Sequence, residues 1–201
     1  MDLEVLTALW VKLVGGLFQP LCFGGYLLLT ADGLKVPKEG RKMPGVKSLH
    51  QESADNTKPE YIMGHSFQAV GLLVKAPCTK VFSIPLASRI HEGLVTTNRD
   101  TRTLLDKLVA LVLPLTGLLD RKVILLVDAY YASRKVIEPL LVHGHHLVTR
   151  VRSTAVGYEL PAPVLKPGRG RPAVYGPRVK LKTCWKRQGE FLTAPSPAYG
   201  A

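Results

Sequence analysis

The 201-residue sequence contains few cysteines, few acidic residues and no long uninterrupted apolar segment. Its three cysteines form no CxxC pair, and an odd number cannot close into a disulfide framework, so a reduced intracellular setting is expected. No segment reaches the roughly 18 to 20 apolar residues of a membrane-spanning helix, because Lys12, Gln19 and Pro20 interrupt the apolar N-terminal region. That region opens with Asp2 and Glu4 rather than with the positive charge of a secretory signal. We therefore expect neither a disulfide-stabilised secreted domain nor a membrane partner.

The scarcity of acidic residues leaves the chain strongly basic. It has 15 Asp and Glu against 27 Lys and Arg, a net charge of +12 at pH 7. A hydrophobic content of 46% excludes a wholly disordered chain, and the positive excess indicates a polyanionic partner such as nucleic acid. Residues 151–201 hold nine of the basic residues, two acidic ones and seven prolines. We expect residues 153–201 to be a flexible basic segment or part of an insertion.

Apolar periodicity predicts an α/β fold, a mixed sheet flanked by helices. Leu3, Leu6, Trp10, Leu13, Val14 and Leu17 predict one face of an amphipathic helix within residues 1–20, which ends near Gly15. Strands are predicted at 26–31, 64–73, 81–90, 122–128 and 146–152, and helices at 100–113 and 132–143, with a basic loop over 33–60. The order of these elements over residues 21–152 is typical of helices packed on a mixed sheet.

Two aspartates stand where apolar strands are predicted to end, Asp32 and Asp128. If the two strands are neighbours in one sheet, both carboxylates emerge at the same edge, and their repulsion then requires a proton or a cation between them. Carboxylate oxygens suit Mg²⁺ or Mn²⁺, and a pair of such ions promotes phosphodiester cleavage. The alternative is that each aspartate only caps a following turn.

Two smaller clusters have competing interpretations. His143, His145 and His146 are expected to be exposed partners of the last helical carbonyls rather than zinc ligands. Tyr130 and Tyr131 stack on a splayed base or pack in the core.

Several blocks in the same order resemble bacterial insertion-sequence transposases of the DDE type. Residues 32–40 (DGLKVPKEG), 43–47 (MPGVK), 50–53 (HQES) and 58–66 (KPEYIMGHS) resemble the first catalytic block. Residues 127–133 (VDAYYAS) resemble the second, and 168–172 (GRGRP) with Tyr175 and Gly176 resemble the basic segment beyond it. The similarity covers roughly residues 21–200.

The resemblance implies a ribonuclease H-like catalytic core, within residues 21–152, in which Asp32 and Asp128 are the first two acidic ligands of Mg²⁺ or Mn²⁺. The implied function is DNA transposition, in which a strand is hydrolysed and its 3′-hydroxyl is joined to target DNA. The implied partners are transposon ends and target DNA, with a homodimer in the intact family member. The implied location is the bacterial cytoplasm, in association with the nucleoid.

The sequence departs from this family at the third carboxylate, a glutamate on a later helix. The chain reaches Ala201 before that segment, and Glu138, Glu159 and Glu190 are poor substitutes because of their positions. We therefore expect a truncated core whose metal site is incomplete and which is inactive alone. A second subunit or a frameshifted product that supplies the missing carboxylate is the alternative for an active enzyme.

The basic tail supplies the predicted DNA contacts, namely Arg169, Arg171, Lys180, Lys182, Lys186 and Arg187. The two arginines of the GRGRP segment match a minor-groove hook, although a loop that contacts phosphates alone is favoured. The alternative function is a non-catalytic DNA-binding module that uses this tail.

Overall fold

The computed structural model describes residues 2–40, 42–51, 57, 59–76, 80–91, 102–152, 154–163 and 173–184. The chain divides into two units, Met1–Arg150 and Val151–Ala201. The helices of the first unit are α1 (Leu3–Leu17), α2 (Leu104–Leu119) and α3 (Arg134–Val142), with a short 3₁₀ turn at Ala129–Tyr131. Its strands are β1 (Gln19–Pro20), β2 (Cys22–Phe23), β3 (Tyr26–Pro37), β4 (Lys47–His50), β5 (Tyr61–Lys75), β6 (Val81–His91), β7 (Val123–Val127) and β8 (His146–Thr149).

These strands form one mixed sheet, which confirms the predicted α/β class. Strand β5 pairs antiparallel with both β3 and β6, whereas β7 pairs parallel with both β3 and β8. The long strands therefore lie in the order β6-β5-β3-β7-β8, while β1 and β4 pair with β5 and β2 pairs with β3. Each parallel connection passes through a helix, α2 before β7 and α3 before β8. Parallel neighbours require such crossovers, because a tight turn can only join antiparallel strands.

One face of the sheet packs against the helices and forms the core. Leu29 of β3, Leu72 of β5 and Leu125 of β7 are completely buried there, together with Leu108 of α2 and Leu140 of α3. Burial of a leucine side chain stabilises the fold by about 2 kcal/mol. The alternating burial along β3 ends at Ala31, so the next side chain, that of Asp32, lies outside the core.

The predicted apolar face of α1 is wrong. Of the six residues assigned to it, Val14 is buried, whereas Leu3, Leu13 and Leu17 are each more than half exposed. The helix instead buries Val11 and Val14, and it continues through the two glycines to Leu17. Because apolar residues occur on nearly every side of this helix, periodicity could not select the buried face.

The predicted ends of two elements are also wrong. Strand β3 continues past Ala31 to Pro37, and β4 follows it, so the segment expected to be a basic loop contributes two strands. Helix α2 is capped by Thr103 and continues through Pro114 to Leu119. The two candidate N-cap positions within the predicted helix, 100 and 101, lie outside the described residues.

The remaining predictions for the first unit are confirmed with shifted boundaries. The strands expected at 64–73, 81–90, 122–128 and 146–152 correspond to β5, β6, β7 and β8. The helix expected from residue 132 begins at Arg134, after the N-cap Ser133, and ends before Gly144, whose φ of +73° suits glycine.

In the second unit, β9 (Val156–Tyr158) pairs antiparallel with β10 (Arg178–Lys180), and one helical turn, α4 (Leu181–Cys184), follows. This small sheet was not expected in a segment rich in proline. Among the helices that the structure describes, none is long and apolar enough to cross a membrane.

Candidate active site

The two predicted metal ligands lie within β3 and directly after β7, which are neighbouring parallel strands. Leu27 of β3 pairs with Val123 of β7, and the register continues to Thr30 and Leu126. Two further residues along each chain in the same register lead to Asp32 and Asp128. Neighbouring strands are separated by about 4.8 Å, so the backbones of the two aspartates occupy corresponding positions at this edge of the strand pair. The predicted adjacency of the two strands is thus confirmed.

Asp32 lies within β3 rather than at its exit. Its backbone pairs with Ala69 of β5, and its side chain accepts a hydrogen bond of 2.7 Å from the backbone N–H of Gly33. The pairing of β3 with β5 continues on both sides of this position, so the backbone that carries Asp32 is held in the sheet. The carboxylate itself belongs to an exposed residue.

Asp128 begins the turn that follows β7. Its side chain accepts a hydrogen bond of 3.0 Å from Tyr130 N–H, which caps the 3₁₀ turn, and its carbonyl accepts one of 2.6 Å from the hydroxyl of Thr149 on β8. The capping role that was the alternative interpretation is therefore present at Asp128. A carboxylate that accepts one hydrogen bond keeps other lone pairs for a cation, so capping and metal binding are compatible.

Tyr131 is a buried residue close enough to Asp32 and Asp128 to be affected by their charges. The residue is only 3% exposed, and its hydroxyl accepts a hydrogen bond of 3.4 Å from the amide of Gln68. Burial raises the pKa of Tyr131, the hydrogen bond from Gln68 opposes this rise, and the negative charges of Asp32 and Asp128 add to it. The phenol therefore stays neutral beside the carboxylate pair. Of the two tyrosines, Tyr131 packs in the core, whereas Tyr130 is 44% exposed.

A third acidic ligand is absent from the part of the chain that the structure describes, where no three His, Cys, Asp or Glu side chains cluster closely enough to hold a metal ion. Glu138 is engaged elsewhere, since both of its oxygens accept hydrogen bonds from Arg134, at 2.8 and 3.1 Å. Glu159 belongs to the second unit, and Glu190 lies outside the described residues. Two carboxylates still fit a magnesium ion, which is usually held by one or two carboxylates together with water and substrate phosphates.

The three histidines near the end of α3 have three separate roles. His143 bonds through Nδ1 to the carbonyl of Pro139 at 2.8 Å, as expected of a residue at a helix end. The prediction of exposure is wrong for His145, which is 5% exposed and accepts a hydrogen bond of 3.3 Å from Val123 N–H. His146 lies 3.2 Å from the hydroxyl of Tyr26.

The predicted DNA-binding residues fall in the second unit or outside the described residues. Lys180 ends β10 and Lys182 lies in α4, and both are exposed. Arg169, Arg171, Lys186 and Arg187 lie outside the described residues.

Sequence reasoning missed Gln68. Its side chain is 2% exposed and bonds to both Tyr131 and the carbonyl of Leu104, at the first turn of α2. A signal was available, because Gln68 precedes Val70, Leu72 and Val74 at alternate positions and is therefore a polar residue on the inward face of a strand.

Comparison with known proteins gives one structural similarity. No protein-family model and no curated protein matches the sequence. The fold is similar to a chain in a cryo-EM structure of the piggyBac transposase synaptic complex with hairpin DNA, with a TM-score of 0.38 and 18% sequence identity. The similarity covers 72% of this chain and 26% of that chain, so the present chain spans about a quarter of the length of that transposase.

Proposed function

We propose that this chain is part of a DDE-type transposase core in which Asp32 and Asp128 bind Mg²⁺ or Mn²⁺ and act in DNA transposition. The observation that carries the proposal is the register of β3 with β7, which brings the two aspartates to corresponding positions on neighbouring strands. Two negative charges at such neighbouring positions repel each other, and a divalent cation between them would offset that repulsion.

The sheet topology supports a ribonuclease H-like fold for this proposal. Three successive long strands, β3, β5 and β6, pair antiparallel, and two further strands, β7 and β8, join the other side of β3 in parallel orientation. This is the strand and helix order that the sequence predicts over residues 21–152. This topology also places β3 at the centre of the sheet, between β5 and β7. Asp32 of β3 therefore lies next to the end of β7.

The residues of the site have distinct roles in this proposal. Asp32 and Asp128 would hold the ion, which when bound supplies positive charge at a phosphodiester and activates water. Gln68 donates a hydrogen bond to the hydroxyl of Tyr131 and so fixes this neutral phenol in the core near the two aspartates. The strong positive charge of the chain favours association with the DNA backbone, and a homodimer would bring two such sites to transposon ends and target.

We propose further that the two aspartates are insufficient for cleavage. Family members use three acidic ligands, and the part of the chain described here offers no third one beside the pair. Two carboxylates can bind an ion without arranging both the attacking water and the leaving oxygen, which two-metal sites do jointly. The expected behaviour is therefore metal binding without efficient strand cleavage.

Calorimetric titration with Mg²⁺ or Mn²⁺ tests the metal site. Asp32→Asn and Asp128→Asn should each abolish saturable binding. Asp120→Asn is the matched control, because Asp120 is an exposed residue in the left-handed conformation at the end of α2, which asparagine also adopts readily. Equal loss of binding in the Asp120 variant would show that the ion binds by general charge attraction instead.

Nicking of supercoiled DNA in the presence of Mn²⁺ tests catalysis. The unmodified chain should leave the DNA intact. Robust cleavage that disappears in Asp128→Ala would contradict the proposed inactivity and would instead support a nuclease that completes its site in a dimer, which sedimentation of the active sample would reveal.

A second candidate function, a DNA-binding module without catalysis, is favoured by the surface of the second unit. Tyr158 and Tyr175 are both more than half exposed, with ring centroids 5.0 Å apart, and Arg178 pairs with Tyr158 across the two strands. Exposed aromatic rings beside basic side chains suit stacking on bases and contact with phosphates.

The salt dependence of DNA binding tests this second function. The slope of log K against log salt is negative, and each lost phosphate contact reduces its magnitude by about 0.9. The double substitution Arg169→Ala/Arg171→Ala should therefore reduce the magnitude of the slope by about 1.8, and an unchanged slope would show that these arginines do not touch DNA.

A further inference from the structure

Helix α1 carries large apolar side chains on the side that faces away from the core. The charged residues within it are Glu4 and Lys12, and its buried residues are Val11 and Val14. A second set of apolar side chains is between 39% and 67% exposed, namely Leu3, Val5, Leu6, Leu9, Trp10, Leu13 and Leu17. A helix that is apolar on all sides is normally buried on all sides, so the fold of one copy accounts for only one side of α1.

Five of the exposed residues form a regular seam along the helix. They recur at alternating spacings of three and four residues, in the order Leu3, Leu6, Trp10, Leu13 and Leu17. This spacing is the a and d pattern of a coiled coil, in which each apolar side chain inserts between side chains of a second helix. The core of this chain covers a different side of α1, so the pattern indicates that a helix from elsewhere covers the seam.

A shallow depression lies beside this seam. It measures about 440 Å³, and its lining consists of Leu9, Lys12, Leu13, Gly16 and Leu17. Among the described residues, no atom lies within 4 Å of the position that a Cβ atom of Gly16 would occupy. The backbone of the last helical turn is therefore open to a neighbouring helix, and a protruding leucine of that helix can insert there.

The area of the seam suits a dimer. A large side chain has on the order of 200 Å² of surface, so five that are about half exposed present roughly 500 Å². Soluble monomers rarely expose contiguous apolar patches of more than a few hundred Å². Two copies that cover each other's seam would bury roughly 1,000 Å² in total, which is the lower limit for a specific interface.

The charges on α1 favour an antiparallel pair of helices. Asp2 and Glu4 lie at the N-terminal end and Lys12 lies in the C-terminal half, and all three are exposed. A parallel pair would bring the acidic ends of two copies together. An antiparallel pair instead brings the acidic end of each helix toward the half of the other helix that carries Lys12, and it opposes the two helix dipoles.

We propose that α1 binds α1 of a second copy of this chain in an antiparallel pair with two-fold symmetry. Trp10 lies at the centre of the pair, where its Nε1 donates a hydrogen bond of 2.7 Å to the carbonyl of Pro85 and so fixes the ring. Leu6 of each copy then faces Leu13 of the other. Such a pair uses the same patch on both subunits, as two-fold dimers do. It requires neither aspartate of the proposed metal centre, so it does not rest on the proposed function.

Sedimentation velocity over a range of protein concentrations tests the dimer. An interface near the lower size limit predicts dissociation at about micromolar concentration, so the mean mass should rise from 22.0 kDa toward twice that value between about 1 and 100 μM. A mass that stays monomeric throughout would overturn the proposal, since another segment or another protein would then cover the seam. A series of ever larger species would also overturn it, because a two-fold pair closes at two copies.

Leu13→Gln is the diagnostic variant and Leu141→Gln is its matched control. The two leucines are 51% and 53% exposed, and each lies in the C-terminal half of a helix. Leu13 alone belongs to the seam, and its replacement affects two places in a symmetric dimer. We expect the dissociation constant of the dimer to rise about tenfold or more in Leu13→Gln and to stay unchanged in Leu141→Gln. Equal weakening in both variants would overturn the proposal, and circular dichroism verifies that both fold.

Charged substitutions test the antiparallel orientation. Leu6→Glu or Leu13→Lys alone places a charge against a leucine of the other copy and should weaken the dimer. In an antiparallel pair the double substitution Leu6→Glu/Leu13→Lys sets opposite charges against each other at two places, so it should dimerise more tightly than either single variant. A double variant that is weaker than both single variants would overturn the antiparallel arrangement, because a parallel pair sets like charges together.

Asp32→Asn separates this interface from the proposed metal centre. That variant should lose Mg²⁺ binding and should still dimerise with the dissociation constant of the unmodified chain. A chain that binds Mg²⁺ but stays monomeric would reject the α1 interface alone.

Discussion

The replacement of Asp128 by asparagine should uncouple the stability of this protein from magnesium. Asparagine caps a turn as well as aspartate does, so the hydrogen bond that the Asp128 side chain accepts from Tyr130 N–H should persist. The substitution removes one negative charge from a pair on neighbouring strands and leaves the local backbone unchanged. Any change in the free energy of unfolding of Asp128→Asn then results from the loss of the negative charge of Asp128.

The magnitude follows from the geometry of the sheet. Neighbouring strands lie about 4.8 Å apart, and two unit charges at that distance repel by about 1 kcal/mol in a solvent-like dielectric. Both residues are exposed, so this lower limit applies. Without metal, Asp128→Asn should therefore unfold with a free energy up to about 1 kcal/mol higher than that of the unmodified chain.

Magnesium should reverse the order of the two proteins. A ligand at 100 times its dissociation constant stabilises the folded state by about 2.7 kcal/mol when it does not bind the unfolded chain. The unmodified chain should gain this free energy of unfolding, whereas Asp128→Asn should gain almost none. Urea denaturation with and without Mg²⁺, at matched ionic strength, measures both quantities.

Asp120→Asn serves as the control, because it removes an exposed carboxylate outside the pair. That variant should keep the full magnesium effect. A magnesium effect that persists in Asp128→Asn, or one that disappears equally in Asp120→Asn, would refute the reasoning. A lower stability of Asp128→Asn without metal would show that the two carboxylates do not repel.

Further predictions concern pH, strand contact and helix propensity. Burial and neighbouring positive charges lower the pKa of His145 below 6.5, so the unfolded state binds more protons, and the free energy of unfolding should fall as pH decreases below about 6.5. His145→Gln should flatten that dependence in urea denaturation at several pH values. A methyl group at Gly64 would collide with the backbone of Val36, so Gly64→Ala should lower stability by about 1–3 kcal/mol. Gly16→Ala, with open space around it in α1, should raise stability by about 0.5–1 kcal/mol in the same assay, and equal effects at both glycines would contradict the described pairing of β3 with β5.

Local patterns predicted the elements that are apolar over their whole length. The run before Asp128 is a strand between β3 and β8 in which Val123, Ile124 and Leu125 are buried, as a continuous apolar run predicts. The connection through helices then predicts parallel neighbours. Which of the parallel strands are neighbours does not follow from these connections, so the meeting of two aspartates 96 positions apart depended on the pairing of β3 with β7.

The predicted ends of β3 and α2 are wrong because residues distant in the sequence determine the backbone conformation there. Asp32 and Gly33 resemble a turn, yet β3 continues to Pro37 because residues 64–68 of β5 satisfy its hydrogen bonds. Pro114 is typical of a helix end, since an internal proline costs about 3 kcal/mol. Helix α2 nevertheless continues, and it buries Leu115 and Thr116 beyond the proline, which offsets part of that cost.

The sequence predicted a mixed α/β sheet and a strong positive net charge, because these depend on composition and on short-range periodicity. The adjacency of the two strands that lead to the aspartates was only a condition of the metal-site hypothesis, and the long-range pairing of β3 with β7 decided it. Long-range packing decided which side of α1 is buried, that His145 is internal, and that Gln68, His91 and Lys107 line one cleft. Such features depend on which segments face one another after folding. Hydrogen bonds and charge interactions between distant residues have no signature in the local sequence.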